Sequence, residues 1–351
     1  MAAAVAARRA AAAIMRTATC PAELLSSAGV RRLVAAFGVF DGVHRGHQCV
    51  LERVVALARE ADAVPTVITF DTHPRAVVSA DRPPSLLTTT PQRLRLLAES
   101  GIEAAVLLPF GPAMAAMGPV PFLHAFIFAP GGPEVLALCV GSAWRFGRGG
   151  IGTVATLAAA AEPFGCRVES VPEILVDGRA VSSTRIREEV LAGRLEQAAA
   201  FLGHPFAVAG TVARGKGIGQ ATLDCPTANI QDPDLVLPPS GVYAARARRV
   251  GRQVTLPGVA YVGSAPTFLP EGTPPPPRIV ELHLFGVAES FYGEEIEVEF
   301  ASRLRPDHRF GSATELKAQI QRDIAAARAC LGLVSATGQP DVPSGPGPNA
   351  G

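Results

Sequence analysis

The sequence has little that ties it to a membrane, a nucleic acid or a structural metal. Its 32 Lys and Arg nearly balance 31 Asp and Glu, for a net charge of +1. That leaves no electrostatic case for a polyanion or an anionic bilayer. Long hydrophobic runs are missing, because Gly, Pro or a charge breaks each apolar stretch, and this excludes a transmembrane span. The six cysteines are scattered without a CxxC pair. This argues against a zinc site and fits reduced thiols in a cytoplasm. The closely spaced His44 and His47 have no Glu between them and the wrong spacing for an HExxH metal site. No internal repeat is evident. What remains is a chain of 351 residues, 48% hydrophobic, which can bury sizeable cores and is long enough for two domains.

Residues 1–28 are expected to be a disordered or low-complexity extension. The first twenty or so are rich in Ala and Arg and lack acidic groups. The pattern is closer to a disordered extension than to a targeting peptide, because the apolar part is mostly Ala. Residues 335–351 are rich in Pro, Gly and Ser and are expected to be disordered as well. Between the two, apolar runs at 33–37, 66–70, 104–108 and 135–140 alternate with helical patterns. One helix is expected over 91–100, with Thr90 as N-cap, Pro91 at its first position and Gly101 at its end. Such alternation predicts an α/β domain over 29–204, with a parallel sheet covered by helices on both faces. After about residue 205 the character changes to short β runs with Gly and Pro turns, which predicts a small antiparallel sheet or barrel over 205–334. A final helix follows, with Ser312 and Glu315 as a capping box. Leu316, Ile320, Ile324, Ala327 and Leu331 form its apolar stripe, and Gly332 is its stop.

The most informative run is Gly38-Val39-Phe40-Asp41-Gly42-Val43-His44-Arg45-Gly46-His47. It follows an apolar strand and precedes a helical pattern, so it reads as strand, glycine turn, helix. Such a turn presents backbone N–H groups and a helix N-terminus to an anion. Two imidazoles three residues apart face the same way there. They suit chemistry in which charge builds on a phosphate oxygen, so a nucleotide is the first substrate to consider. Asp71 and His73, in Phe70-Asp71-Thr72-His73-Pro74, lie just after the second strand as turn residues or site residues. Ser182-Ser183-Thr184-Arg185-Ile186-Arg187 opens a helix expected over 188–193. It is either a phosphate clamp or an N-cap with solvated arginines.

In the back half, Gly215-Lys216-Gly217-Ile218-Gly219 is a glycine-rich turn but not a Walker motif. It leads to Pro226-Thr227-Ala228-Asn229. Thr227 and Asn229 share one face of a strand. They are hard oxygen ligands suited to Mg²⁺ bridged by phosphates, or else polar residues of a strand edge. In Ile279-Val280-Glu281-Leu282-His283-Leu284, Glu281 falls on the face opposite the apolar residues. It is either solvated or a general base aimed at a substrate hydroxyl.

The front motifs resemble the adenylyltransferase module of the prokaryotic-type bifunctional riboflavin kinase/FAD synthetases, over residues 33–204. The back half resembles the riboflavin kinase module of the same family, over 205–331. That match runs through PTAN at 226–229, Gly241-Val242-Tyr243, Gly263 with Pro266-Thr267-Phe268, Val280-Glu281, Tyr292-Gly293, Leu304-Arg305-Pro306 and Phe310. The resemblance implies a Rossmann-like nucleotidylyltransferase followed by a six-stranded Greek-key β-barrel with a terminal helix. It implies ATP-dependent phosphorylation of riboflavin to FMN, then adenylylation of FMN to FAD with release of pyrophosphate. His44, His47 and Glu281 would be catalytic. Gly38, Phe40, Asp41, Ser183, Thr184, Arg187, Gly215, Lys216 and Gly217 would bind nucleotide. Asp71, His73, Pro74 and Arg305 would bind flavin, and Thr227 and Asn229 would hold Mg²⁺. The partners implied are riboflavin, FMN and ATP, with no nucleic acid and no membrane, in a cytoplasmic monomer or weak homo-oligomer.

Three departures qualify the resemblance. Where the family reads GxDFRFG, this chain reads Gly141-Ser142-Ala143-Trp144-Arg145-Phe146-Gly147, so Ala143 replaces a carboxylate and the single tryptophan replaces Phe. Residues 118–133 are richer in Gly and Pro than the helix expected there. Asp224 and Cys225 precede PTAN in place of Gly and a large apolar residue. The alternatives are a riboflavin kinase with impaired adenylyltransferase activity, or a flavin-binding regulatory protein without turnover.

Overall fold

The structure, a computed structural model, describes residues 15–81, 83–213, 228–231, 234–250, 252, 254–264, 278–287, 291–308 and 310–333. The chain divides into two compact units. One comprises Met1–Ile186 with Ala200–His204, the other Arg187–Ala199 with Pro205–Gly351.

In the first unit the strands are β1 (Arg16–Ala18), β2 (Arg32–Phe37), β3 (Val64–Phe70), β4 (Ala104–Leu108), β5 (Glu134–Gly141) and β6 (Arg167–Val171). They form one sheet in the order β1-β4-β3-β2-β5-β6, with every pairing parallel. The helices include α1 (Pro21–Ala28), α2 (Arg45–Glu60), α3 (Pro74–Val78), α4 (Thr90–Glu99), α5 (Pro112–Ala115), α6 (Pro119–Phe126) and α7 (Val154–Ala161). The period-2 alternation along β2 gives the sheet its two faces. Leu33, Ala35 and Phe37 pack with Leu24, Phe122, Leu123 and Leu157. Val34 and Ala36 pack with Leu51, Val54, Leu57 and Leu97. From β2 the chain builds outward through β3 and β4, then returns to place β5 on the opposite side of β2. The carboxyl ends of β2 and β5 therefore flank the topological switch point, where open parallel sheets bind ligands.

Two expectations for this unit need correction. Residues 15–28 are not a disordered extension: Arg16–Ala18 pairs with β4, and Pro21–Ala28 is a helix. The Ala/Arg-rich composition conceals the local signals, which are Pro21 at the first turn, Glu23 beside the N-terminus and a left-handed Gly29 (φ 65°) as the stop. Residues 118–133, though rich in Gly and Pro, contain the helix expected there, α6, with Pro119 in the first turn where a missing N–H costs nothing. Helix α4 is also capped one residue earlier than expected. Thr89 accepts from Gln92 N, and the Gln92 side chain returns the bond to Thr89 N.

A small hairpin, β7 (Leu175–Val176) and β8 (Arg179–Ala180), precedes α8 (Ser183–Leu191) and α9 (Leu195–Leu202). Helix α8 starts at Ser183 rather than at 188, because the Ser182 hydroxyl already accepts from Arg185 N.

The second unit is a closed antiparallel barrel. Its strands are β9 (Ala207–Ala213), β10 (Ala228–Gln231), β11 (Gly241–Arg249), β12 (Leu256–Ser264), β13 (Arg278–Leu284) and β14 (Glu295–Pro306), in the order β10-β13-β12-β11-β14-β9. The run β11-β12-β13, with β14 returning beside β11, is a Greek key. Tyr243, Ala245, Val262, Val280, Leu282, Val298 and Phe300 are buried. The terminal helix α10 (Ala313–Cys330) lays Ala327 and Leu331 on Ala244, with Val259, Ala301 and Leu304 around them. Its capping box is only half formed. Ser312 accepts from Glu315 N, but the Glu315 carboxylate takes the N–H of Gly311 instead of that of Ser312.

Candidate active sites

At the carboxyl end of β2 the backbone takes three positive φ values in four residues: Phe40 (56°), Gly42 (82°) and Val43 (39°). Such angles are costly for Phe and Val and persist where the surroundings enforce them, commonly at functional turns. The enforcing contacts are identifiable. The Asp41 carboxylate, 3% exposed, accepts from Leu87 N and Thr88 N at 3.0 Å each and from the Thr88 hydroxyl at 3.1 Å. Gly42 N donates to Thr88 Oγ1. Gln48 Nε2 donates to Val43 O and Leu202 O, and Arg45 Nε to Ala200 O. The Ser183 hydroxyl donates to Asp41 O at 3.0 Å. The two motifs separated most widely in the sequence of this unit thus meet at one turn.

His44 is the N-cap of α2. Its Nδ1 accepts from His47 N at 3.3 Å, which leaves the proton of the neutral ring on Nε2. The two imidazoles stack at 3.6 Å between centroids and 14° between planes, and the Phe40 ring lies 5.0 Å from His47. A Cβ at position 46 would stand 3.3 Å from the His44 ring, so the glycine of the motif lets the imidazole lie against the helix. Burial, and secondarily His44, hold the His47 imidazole well below its ordinary value, so the ring is neutral at neutral pH. His47 Nδ1 is buried without a hydrogen-bond partner among the described residues. A polar atom in that state at a helix N-terminus and switch point is suited to a ligand that supplies the partner.

The other front residues separate into two groups. Asp71 accepts from Thr72 N and from Phe110 N at 3.0 Å, and His73 caps α3 by accepting from Arg75 N, with Pro74 the first residue of that helix. Thr184 and Arg187 lie on the first turns of α8. Trp144 packs at 4.8 Å from Phe37 and 4.5 Å from Phe146, on the loop after β5 beside an exposed Ala143. Sequence reasoning missed Arg93, a 6%-exposed cation whose guanidinium bonds the ends of β2 and β3. A basic residue in an ordinary amphipathic helix gives no signal of that kind.

In the barrel, Asn229 on β10 is the direct antiparallel partner of Glu281 on β13, and Tyr261 on β12 is Glu281's partner on the other side. Asn229 is 6% exposed. Burial raises the Glu281 carboxyl above its ordinary value, which makes it a stronger proton acceptor than an exposed carboxylate. The Tyr261 hydroxyl donates to Asp307 at 3.2 Å. Burial, Asp307 and Glu281 push that phenol up to about 12. A Cβ at Gly263 would fall 2.1 Å from the Tyr261 oxygen, so glycine there is what allows the phenol its position. Arg305 forms a bidentate pair with the buried Asp323, through Nε at 2.9 Å to one oxygen and Nη2 at 2.9 Å to the other, and Gln319 donates to the same carboxylate. Its side chain is thus held by α10. Thr227, Gly215, Lys216 and Gly217 lie outside the described residues.

A strained glycine turn at a helix N-terminus and switch point of a parallel sheet, and a carboxylate beside a buried amide on a small barrel, fit a two-module transferase. Two family models match in the same order, FAD synthetase over residues 27–185 and riboflavin kinase over residues 202–331. The bifunctional riboflavin kinase/FMN adenylyltransferase of Escherichia coli strain K12 is 35% identical over 309 residues, covering 88% of this chain and 96% of that one. That of Bacillus subtilis strain 168 is 32% identical over 293 residues, covering 83% and 90%. A crystal structure described as a macrolide-efflux protein from Streptococcus pneumoniae superposes with a TM-score of 0.72 at 25% identity, over 90% of this chain and 99% of that one. The chain belongs to the family of bifunctional riboflavin kinase/FMN adenylyltransferases. Among the described residues no helix is long and apolar enough to cross a membrane.

Proposed function

We propose that the barrel, over residues 205–334, phosphorylates riboflavin to FMN, and that the parallel-sheet module, over 29–204, joins FMN to the AMP moiety of a second ATP and releases pyrophosphate. The observation that carries two independent sites is that Glu281 and His47 belong to different compact units, each with its own reactive groups.

In the barrel, Glu281 takes the proton of the ribityl 5′-hydroxyl as that oxygen attacks the γ-phosphate. Its raised pKa suits a base that must accept a proton at neutral pH. The buried side-chain oxygen of Asn229 is a hard ligand of the kind Mg²⁺ takes when phosphates supply most of its shell. Thr227 would be a second such oxygen. The ion, when bound, neutralises charge on the transferred phosphoryl group. In the front module, the neutral rings of His44 and His47 donate hydrogen bonds to the α-phosphate as charge develops on it. The α2 N-terminus adds its positive dipole end. Thr184 holds a phosphate oxygen, while the Ser183 hydroxyl, bonded to Asp41 O, and the Asp41 carboxylate, bonded to the backbone of Leu87 and Thr88, keep the turn in shape. Asp71, His73 and Pro74 border the flavin.

The test is a time course with riboflavin, ATP and Mg²⁺, with flavins separated by chromatography. FMN followed by FAD is the expected result. FMN alone would favour a kinase with an impaired front module, the reading that Ala143 supports.

A further inference from the structure

Arg93 is a buried cation of the first unit, and its bonds go to two loops that are distant in sequence. Its Nη1 donates to Val39 O at 3.2 Å, inside the strained turn after β2. Its Nη2 donates to Phe70 O at 2.7 Å, at the start of the segment that carries Asp71, and also reaches Thr90 Oγ1 at 3.4 Å. Val39 O takes a second bond, from Thr69 Oγ1 at 3.1 Å. Asp41 and Asp71 both act electrostatically on the guanidinium. One side chain therefore joins the carboxyl ends of β2 and β3 at the switch point. From Val39 the chain runs directly into Phe40, whose buried ring packs on His47.

We propose that Arg93 is a positioning residue for adenylyl transfer: it fixes the backbone at Val39 and Phe70, and through Phe40 it sets the His44–His47 stack against the reacting phosphate. Two carbonyls that diverge from adjacent strand ends need a donor fork, and a planar guanidinium supplies it where an ammonium offers a single point. A displacement of about 1 Å in a reacting group costs on the order of 10²-fold in rate.

This inference rests on the adenylyl-transfer reading above, and the experiment separates the two. The informative variant is Arg93→Lys, which keeps the charge and loses the fork. FAD formation from FMN and ATP is measured alongside a ¹⁵N NMR titration of the His47 ring, assigned with His47→Gln. In the wild-type protein burial, and secondarily His44, is expected to hold the His47 midpoint well below 6.5. In Arg93→Lys we expect kcat for FAD to fall between about tenfold and a hundredfold with the KM for ATP within about threefold, and the His47 midpoint to rise toward 6.5 as Phe40 loosens. Thr69→Val, which removes the other donor to Val39 O, is expected to move both quantities the same way by less, and it serves if Arg93→Lys fails to fold. A kcat within twofold of wild type, or a His47 midpoint that stays put in a folded variant, overturns the proposal. Absence of FAD from the wild-type protein overturns the functional reading instead, and the titration still decides whether Arg93 sets the histidines.

Discussion

Asn229 and Glu281 face each other across β10 and β13 as a register pair, with Tyr261 completing the row on β12. A buried amide and a carboxylate of raised pKa on adjacent strands couple stability to activity. Because the native state holds Glu281's proton more tightly than the unfolded chain does, its contribution to stability is full below pH 4.5 and is lost as pH rises through the native value. Glu281→Gln should therefore leave the barrel at least as stable as wild type at neutral pH. It should lower FMN formation by about 10²–10⁴-fold and leave FAD synthesis from supplied FMN unchanged. Thermal melts at several pH values and the two assays check this. Equal loss of both activities would defeat the claim of separate sites.

For Asn229 the expectation is metal dependence rather than outright loss. Asn229→Ala removes one oxygen from a shell completed mainly by phosphates and water. The Mg²⁺ concentration for half-maximal FMN formation should rise several-fold, with a smaller change in kcat at saturating metal. A uniform drop in kcat with an unchanged Mg²⁺ profile would place Asn229 outside the metal's coordination.

Burial holds the His47 imidazole well below the value of an exposed histidine. Its depressed pKa means that stability is intact above pH 6.5 and is lost as pH falls toward the native value, where the buried ring must take a charge. His47→Gln should remove that acid sensitivity from the first unit and lower FAD formation by two to three orders of magnitude, on the order of the loss of one oxyanion donor. FMN formation should persist. Unchanged FAD output would take the histidines out of the mechanism.

The sequence made much of this legible, and physical reasons account for the rest. The alternation of Leu33 to Phe37 and the order strand, glycine turn, helix point directly to β2 and α2, since both periodicities are local. The pairing of Val280 and Leu282 inward with Glu281 outward is local too, and β13 shows it. What was not legible depends on partners far away in the chain. The bond that the Asp41 carboxylate accepts from the backbone 46 residues on has no local signal. The pairing of the Arg305 guanidinium with Asp323, 18 residues on, has no local signal either. Arg93 and Tyr261 carry no motif at all; helix α4 brings the first to the ends of β2 and β3, and the β12–β13 register sets the second beside Glu281. Edge strand β1 was concealed because three residues in an Ala/Arg-rich stretch give no periodicity to read.

Ala143 offers a gain-of-function test. It is exposed on the loop after β5, next to Trp144 and at the switch point. Ala143→Asp therefore has room and restores the acceptor that the family resemblance implies. A charged hydrogen bond of about 1.5–3 kcal/mol corresponds to at least a tenfold rise in kcat/KM for FAD formation, with melting temperature and FMN formation unchanged. No increase would mean that this chain's pocket meets the nucleotide without a carboxylate there.

The Arg305–Asp323 pair sets the last expectation. Asp323 is 5% exposed and takes both arms of the guanidinium plus a bond from Gln319. Removing Arg305 leaves a buried carboxylate with only the amide, which is far worse than removing both partners, because the uncompensated charge stays out of water. Arg305→Ala should cost about 3 kcal/mol in urea unfolding of the barrel. The double variant Arg305→Ala, Asp323→Leu should recover most of that loss. If Arg305 also contacts flavin, the recovered double variant will still show a raised KM for riboflavin. If it acts only by tying β14 to α10, stability and KM will recover together.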